Sequence, residues 1–193
     1  FGDVAYLYGI YFATMWGLVI WLFVRPEKIG LLDVVRVSLF TSITGAFIVG
    51  FLYRLPGLSA VLGATRDPQI LVRLPAYVCG VGLREESDEA VPLLWIVARN
   101  REPGTLREIS YLGCVSGFAF GVSEAVSYSL FYAQGVASGS MSLGAFVVVQ
   151  LTRLITLPLL HAVFSGVAGV FIALGVETRS LRFALILSGL GLA

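Results

Sequence analysis

The chain has 193 residues, 58% of them hydrophobic and 13% charged, with a net charge of +1 and a mean hydropathy of +0.90. Soluble domains carry about 25% charged residues, and a domain of this length cannot hide so much apolar side chain from water, so lipid must solvate the remainder. The thirteen Lys and Arg residues are scattered through short loops rather than clustered, which argues against a nucleic-acid partner.

Long apolar runs without period-two alternation predict helices rather than barrel strands. The expected fold is all-α: a polytopic transmembrane bundle of about six or seven spans forming one domain over residues 1–193. The first span is expected from about Val4 to Val24, closed by Arg25-Pro26-Glu27-Lys28. A second runs from about Val37 to Tyr53 and ends at Arg54-Leu55-Pro56-Gly57. Residues 57–70 are mixed, and read as a loop or a short interfacial helix. A third helical region, from about Leu71 to Ala98, is unusually long and acidic at its middle, and a charged loop over 99–108 follows it. The fourth span is placed at about Ile109 to Ala133, with an uncharged Gly/Ser-rich linker from Gly135 to Ser142 after it. The fifth, about Leu143 to Leu174, exceeds a perpendicular span, which implies tilt or a kink at Pro158. A sixth begins near Leu181. No internal repeat is visible.

Loops one, three and five hold most of the Lys and Arg, which places them in the cytoplasm and the N-terminus outside. An extra span in 57–70 would reverse the front half. Cys79 and Cys114 lie in apolar stretches and are expected as two inert thiols rather than a disulfide or metal pair. The chain opens on Phe1 and its last helix stops early, as expected of a piece of a longer chain, so the lack of a targeting signal carries no meaning.

A charge at bilayer depth costs about 2.5–3.5 kcal/mol on insertion scales, so ionisable residues within spans mark function. Three helices carry them. The third holds Arg84, Glu85, Glu86, Asp88 and Glu89; the fourth holds Glu124; the fifth holds Arg153 and His161, the one histidine of the chain. Helical spacing puts Glu85 and Glu89 on one face, with Glu86 beside Glu89. Carboxylates that close cannot all ionise in a low dielectric, so some keep a proton or a cation neutralises them. The competing reading makes Arg84 to Glu89 an exposed polar loop between two short helices, with Pro92 in a first turn.

Glu124 stands in an apolar stretch just beyond Gly113, Gly117 and Gly121, a stripe that allows close helix contact. As a purely structural residue it would be a protonated acid making one interhelical hydrogen bond. His161 follows Pro158 and shares the depth of Glu124, whereas a lone histidine is often only a satisfied core residue. Ser165, one turn on, can hydrogen-bond His161 or a substrate. Arg153, about 12 Å along the axis from His161 at 1.5 Å per residue, is expected to anchor a carboxylate or headgroup instead.

Acid/base groups on three helices suit hydrolysis within the membrane, which needs an activated water, a stabilised oxyanion and a protonated leaving amine. A glutamate can move the water proton, and Glu with His can hold a divalent metal such as zinc. No HExxH motif occurs, so any metal site is assembled across helices, with Glu124 and His161 as natural ligands. One histidine and no CxxCH leave little room for haem.

Glu85-Glu86, Phe120-x-x-x-Glu124 and Arg153…Pro158…His161, in that order on successive helices, resemble the PrsW family of intramembrane proteases, related to CAAX prenyl endopeptidases and Abi proteins. The resemblance covers roughly residues 78–172, and Tyr128, Phe164, Gly166 and Gly169 also suit it. It implies a catalytic core over about 71–175 and the cytoplasmic membrane of a prokaryote. It also implies a membrane-protein or peptide substrate such as an anti-sigma factor. By the same resemblance Glu85 is the general base, Glu86 its orienting or substrate-binding partner, and Glu124 and His161 the opposing pair. Two positions depart from the family pattern. Glu89 stands where the family has lysine in EExxK, and Ala125 where asparagine often follows the glutamate. Losing the lysine removes a balancing cation, which a divalent metal, Arg84 or Arg153 can replace; the oxygen-rich ligand set tilts the expectation toward a metal-free or weakly metal-binding site. Two other classes compete: a proton- or cation-coupled transporter, and an inactive membrane scaffold.

Overall fold

The computed structural model describes residues 2–52, 56–99 and 104–178. Its elements, all helical, are α1 (Gly2–Val24), α2 (Leu31–Leu52), α3 (Pro56–Ala64), α4 (Ile70–Tyr77), a π-helical turn (Val78–Gly82), α5 (Leu83–Arg99), α6 (Leu106–Ala137) and α7 (Leu143–Glu177). Three of the described helices are long and apolar enough to cross a bilayer, over Ala5–Val24, Leu106–Ala137 and Leu143–Glu177. The expected sixth span near Leu181 and the loop residues Arg101 and Glu102 lie outside the described residues.

Local chemistry explains where the central pair begins. Thr105 and Glu108 form a capping box: Glu108 N–H donates to Thr105 Oγ1, and Glu108 Oε2 accepts from Thr105 N–H at 2.7 Å. Ser142 caps α7 by accepting from Ala145 N–H at 3.2 Å. The turn between them passes through Gly139 at φ 75°, a left-handed position that glycine occupies without strain. Helices α6 and α7 form the most extensive contact of the bundle; α1 packs on both, α2 on α5 and α6, and α5 on α6 and α7. Lys28 N–H donates to Glu108 Oε1 at 3.1 Å, which puts the α1–α2 loop at the same end as the start of α6, as the loop charges require.

The structure decides between alternatives at two places. The stretch 57–70 contains α3, whose nine residues fall well short of the ~20 that a helix needs to cross alone, so it adds no span by itself. The segment Arg84 to Glu89 is not an exposed loop. It is the first half of α5, with Arg84, Asp88 and Glu89 buried, and Pro92 lies inside the helix rather than in its first turn. Burial against α2, α6 and α7 decides this, since the segment's own composition is polar. Cys79 and Cys114 are both free, the first exposed and the second buried.

Candidate active site

The glycine stripe sets the register of α6 on α7. A Cβ at Gly121 would lie 2.6 Å from Pro158 Cα, one at Gly117 2.6 Å from Ala162 N, and one at Gly113 3.2 Å from Gly166 Cα. The first two are shorter than any side chain tolerates and the third is tight, so the two backbones touch directly. Past Gly121, Glu124 then reaches the imidazole on α7, with Oε2 3.0 Å from His161 Nε2.

Helix α5 supplies the other side. Glu89, with 0% exposure, places Oε1 2.6 Å from His161 Nδ1, and its second oxygen accepts a hydrogen bond from Ser165. The imidazole is therefore bracketed by two carboxylates from two helices, with the Phe120 ring 5.0 Å away. Nε2 faces Glu124 within hydrogen-bond distance, and Nδ1 faces the Glu89 carboxylate. Ser165 was expected beside His161 and instead fixes the carboxylate that fixes His161.

The backbone of Glu89 is also pinned. Ser116 Oγ donates to the Glu89 carbonyl at 2.7 Å, and Thr41 Oγ1 lies 2.7 Å from Ser116 Oγ. A carbonyl cannot donate, so Ser116 gives its proton to Glu89 and accepts from Thr41. One chain of hydroxyls joins α2, α6 and α5 directly behind the site.

Glu86 lies on the same side of α5. One donor atom each from Glu86, Glu89 and His161 falls within 4.8 Å of the others, and Glu86 Oε2 is buried without a hydrogen-bond partner. Two carboxylates and an imidazole are suitable ligands for zinc, so these residues fit a divalent cation. The trio differs from the Glu124–His161 pair expected from sequence, although Glu124 adjoins it through the imidazole. Glu85 points elsewhere along α5: it pairs with Arg84 at 3.1 Å, and both line a cavity of about 1020 Å³ that Glu124 also lines. Arg153 stays out of the cluster; its guanidinium stacks 3.8 Å over the Tyr128 ring and 5.6 Å from that of Tyr132.

Thr41 and Ser116 were not singled out by sequence, and their partners lie 75 and 27 positions away along the chain. The available signal was Ser116 beside Gly117, on the face that approaches another helix.

Comparison with known proteins returns one family, described as PrsW family intramembrane metalloprotease, which matches residues 33–193. No curated protein and no solved structure matches the chain.

Proposed function

Because the chain belongs to the PrsW family of intramembrane metalloproteases, we propose that it hydrolyses a peptide bond of a membrane-protein substrate with water activated by Glu124. One observation carries this choice. Among the described residues, Glu124 is the carboxylate that both touches His161 and lines the large cavity. Its resemblance-derived rival, Glu85, lines that cavity too but is engaged by Arg84.

In this mechanism Glu124 takes a proton from a water in the cavity as the water oxygen attacks the scissile carbonyl carbon. His161 shares that proton through Nε2, and Glu89 keeps the ring oriented through Nδ1 and balances its positive charge when both nitrogens are protonated. The proton then passes to the leaving amine as the C–N bond breaks. Arg84, held by Glu85 at the cavity wall, supplies positive charge to the developing oxyanion. A divalent cation held by Glu86, Glu89 and His161 would take the place of the proton on one imidazole nitrogen, and would polarise the carbonyl and make water more acidic. The six or seven spans and single domain belong to the same proposal, with the odd loops on the cytoplasmic face.

The test is cleavage of a single-span reporter protein in liposomes. Glu124→Gln should lower the rate by about 10²–10⁴ while the protein stays folded, and an unchanged rate removes Glu124 as the base. Chelation sorts the two routes: full activity afterwards supports the purely glutamic one, and loss restored by zinc or cobalt supports the cation. Proton flux without cleavage would favour a transporter.

A further inference from the structure

A second cavity, of about 710 Å³, is built from the α1–α2 loop, the start of α2, the end of α5 and the start of α6. It shares no lining residue with the cavity at Glu124, and none of Glu86, Glu89 and His161 lines it. Lys28 comes just after the apolar span Ala5–Val24, and Thr105 directly precedes the span Leu106–Ala137. The cavity therefore sits where the hydrocarbon core gives way to lipid headgroups.

Its positive and negative charges are not equally available. Lys28, Arg36 and Arg99 line it from three elements, against two carboxylates, Asp33 and Glu108. Both acids are engaged at helix N-termini, whose partial positive charge offsets theirs. Glu108, in the first turn of α6, accepts main-chain N–H donors on both oxygens, from Lys28 at 3.1 Å and from Thr105 at 2.7 Å. Asp33, in the first turn of α2, accepts from Gly30 N–H at 3.1 Å and stands 3.8 Å from Arg36. Among the described residues, Lys28 Nζ and the Arg99 guanidinium pair with no carboxylate.

Arg99 is held by an aromatic instead. Its guanidinium lies 5.2 Å over the ring of Trp95, which stacks on Phe40 at 5.5 Å. Contact through the guanidinium face leaves its N–H edge to donate to an anion, and that edge matches two phosphate oxygens. Much of the remaining lining is apolar, with Ile96, Ile109 and Leu112 among it. A phosphate dissolved in water would gain nothing from such a surface, whereas the glycerol end of a lipid and its first methylenes would be covered by it.

We propose that this cavity binds the phosphodiester headgroup of an anionic phospholipid, with Lys28 and Arg99 on the phosphate and Arg36 adding to the positive field. A zwitterionic lipid offers the same phosphate but brings a cation that three basic side chains repel, so the site selects net negative charge. The basic loops put it in the cytoplasmic leaflet. A seated headgroup joins the end of α5 to α2 and to the α1–α2 loop. The proposal stands apart from the proteolytic reading, because no residue of that site takes part.

The test is native mass spectrometry of the purified protein in detergent, titrated with phosphatidylglycerol or with phosphatidylcholine of the same acyl chains. The wild type should retain one phosphatidylglycerol at least tenfold more tightly than phosphatidylcholine, a comparison that needs no variant. Arg99→Gln should weaken that retention roughly fivefold and Lys28→Gln/Arg99→Gln about twentyfold, as expected for one and two basic residues at a membrane surface. Arg107→Gln, an exposed cation at the same end that does not line the cavity, should change it less than twofold. Equal retention of the two lipids by the wild type overturns the proposal. So does an equal loss from Arg99→Gln and Arg107→Gln, which would mean attraction to surface charge in general. Displacement of the bound phosphatidylglycerol by millimolar inorganic phosphate would make free phosphate the ligand, and overturns the lipid assignment.

Discussion

Ser116→Ala removes a fully buried hydroxyl that holds two partners at 2.7 Å. The Glu89 carbonyl loses a donor, and Thr41 loses its acceptor. An orphaned buried polar group costs about 1–3 kcal/mol, whereas interhelical hydrogen bonds in membranes average only ~0.6 kcal/mol. Thr41 can turn its proton to a carbonyl of its own helix, which moderates the loss. We therefore expect about 1–2 kcal/mol for Ser116→Ala. Thr41→Val keeps the shape and the Ser116–Glu89 bond, and should cost about 0.6 kcal/mol. Because both changes break the Thr41–Ser116 contact, the double variant should cost less than the sum of the two. Unfolding by titration with sodium dodecyl sulfate in mixed micelles measures all three. Reporter cleavage should fall for Ser116→Ala and hardly move for Thr41→Val. Equal and additive costs would refute the relay through Ser116.

Other expectations follow from the same geometry. Gly117→Ala should force α6 and α7 apart, cost about 1–3 kcal/mol by overpacking, and reduce cleavage on the order of 10²-fold if the site shifts by ~1 Å. Its control, Gly144→Ala, meets open space and should be neutral to slightly stabilising in a melting experiment. Glu89→Gln should keep the fold and lower cleavage about 10- to 100-fold, the usual effect of losing a carboxylate that orients a functional histidine; wild-type rates would separate Glu89 from catalysis. Arg153→Gln should leave cleavage near wild type and reduce stability by about 0.5–2 kcal/mol through its lost stacking on Tyr128.

The sequence was most informative where a signal was local. The spans α6 and α7 follow from long apolar runs, and the stripe at Gly113, Gly117 and Gly121 announces a close helix contact without naming its partner. Glu124 and His161 stood out because each is an ionisable residue in an apolar stretch. Helix α5 was ambiguous for a physical reason. Its first half reads as surface by composition, and only packing against three other helices buries Arg84, Asp88 and Glu89. Glu89 registered from sequence as a departure from a family lysine, yet it sits directly on His161 Nδ1. The roles of Ser165, Ser116 and Thr41 were beyond reach. Small hydroxyls are common in membrane helices, and what distinguishes these is a partner far away in the chain.

The glycines of the bundle differ in whether a substitution can be forgiven. At Gly80 an added methyl would meet the side-chain ends of Val61 and Leu62, at 3.0 and 3.5 Å. A damaged Gly80→Ala protein therefore has a second-site suppressor within reach, such as Val61→Ala. At Gly117 the obstructing atoms are the carbonyl group of His161 and the nitrogen of Ala162. Those atoms remain whichever residue occupies 161 or 162, so no single local replacement makes room. In a selection for regained activity, Gly80→Ala should yield compensating changes next door. Gly117→Ala should yield true revertants, or distant changes that let the two helices settle at a wider spacing.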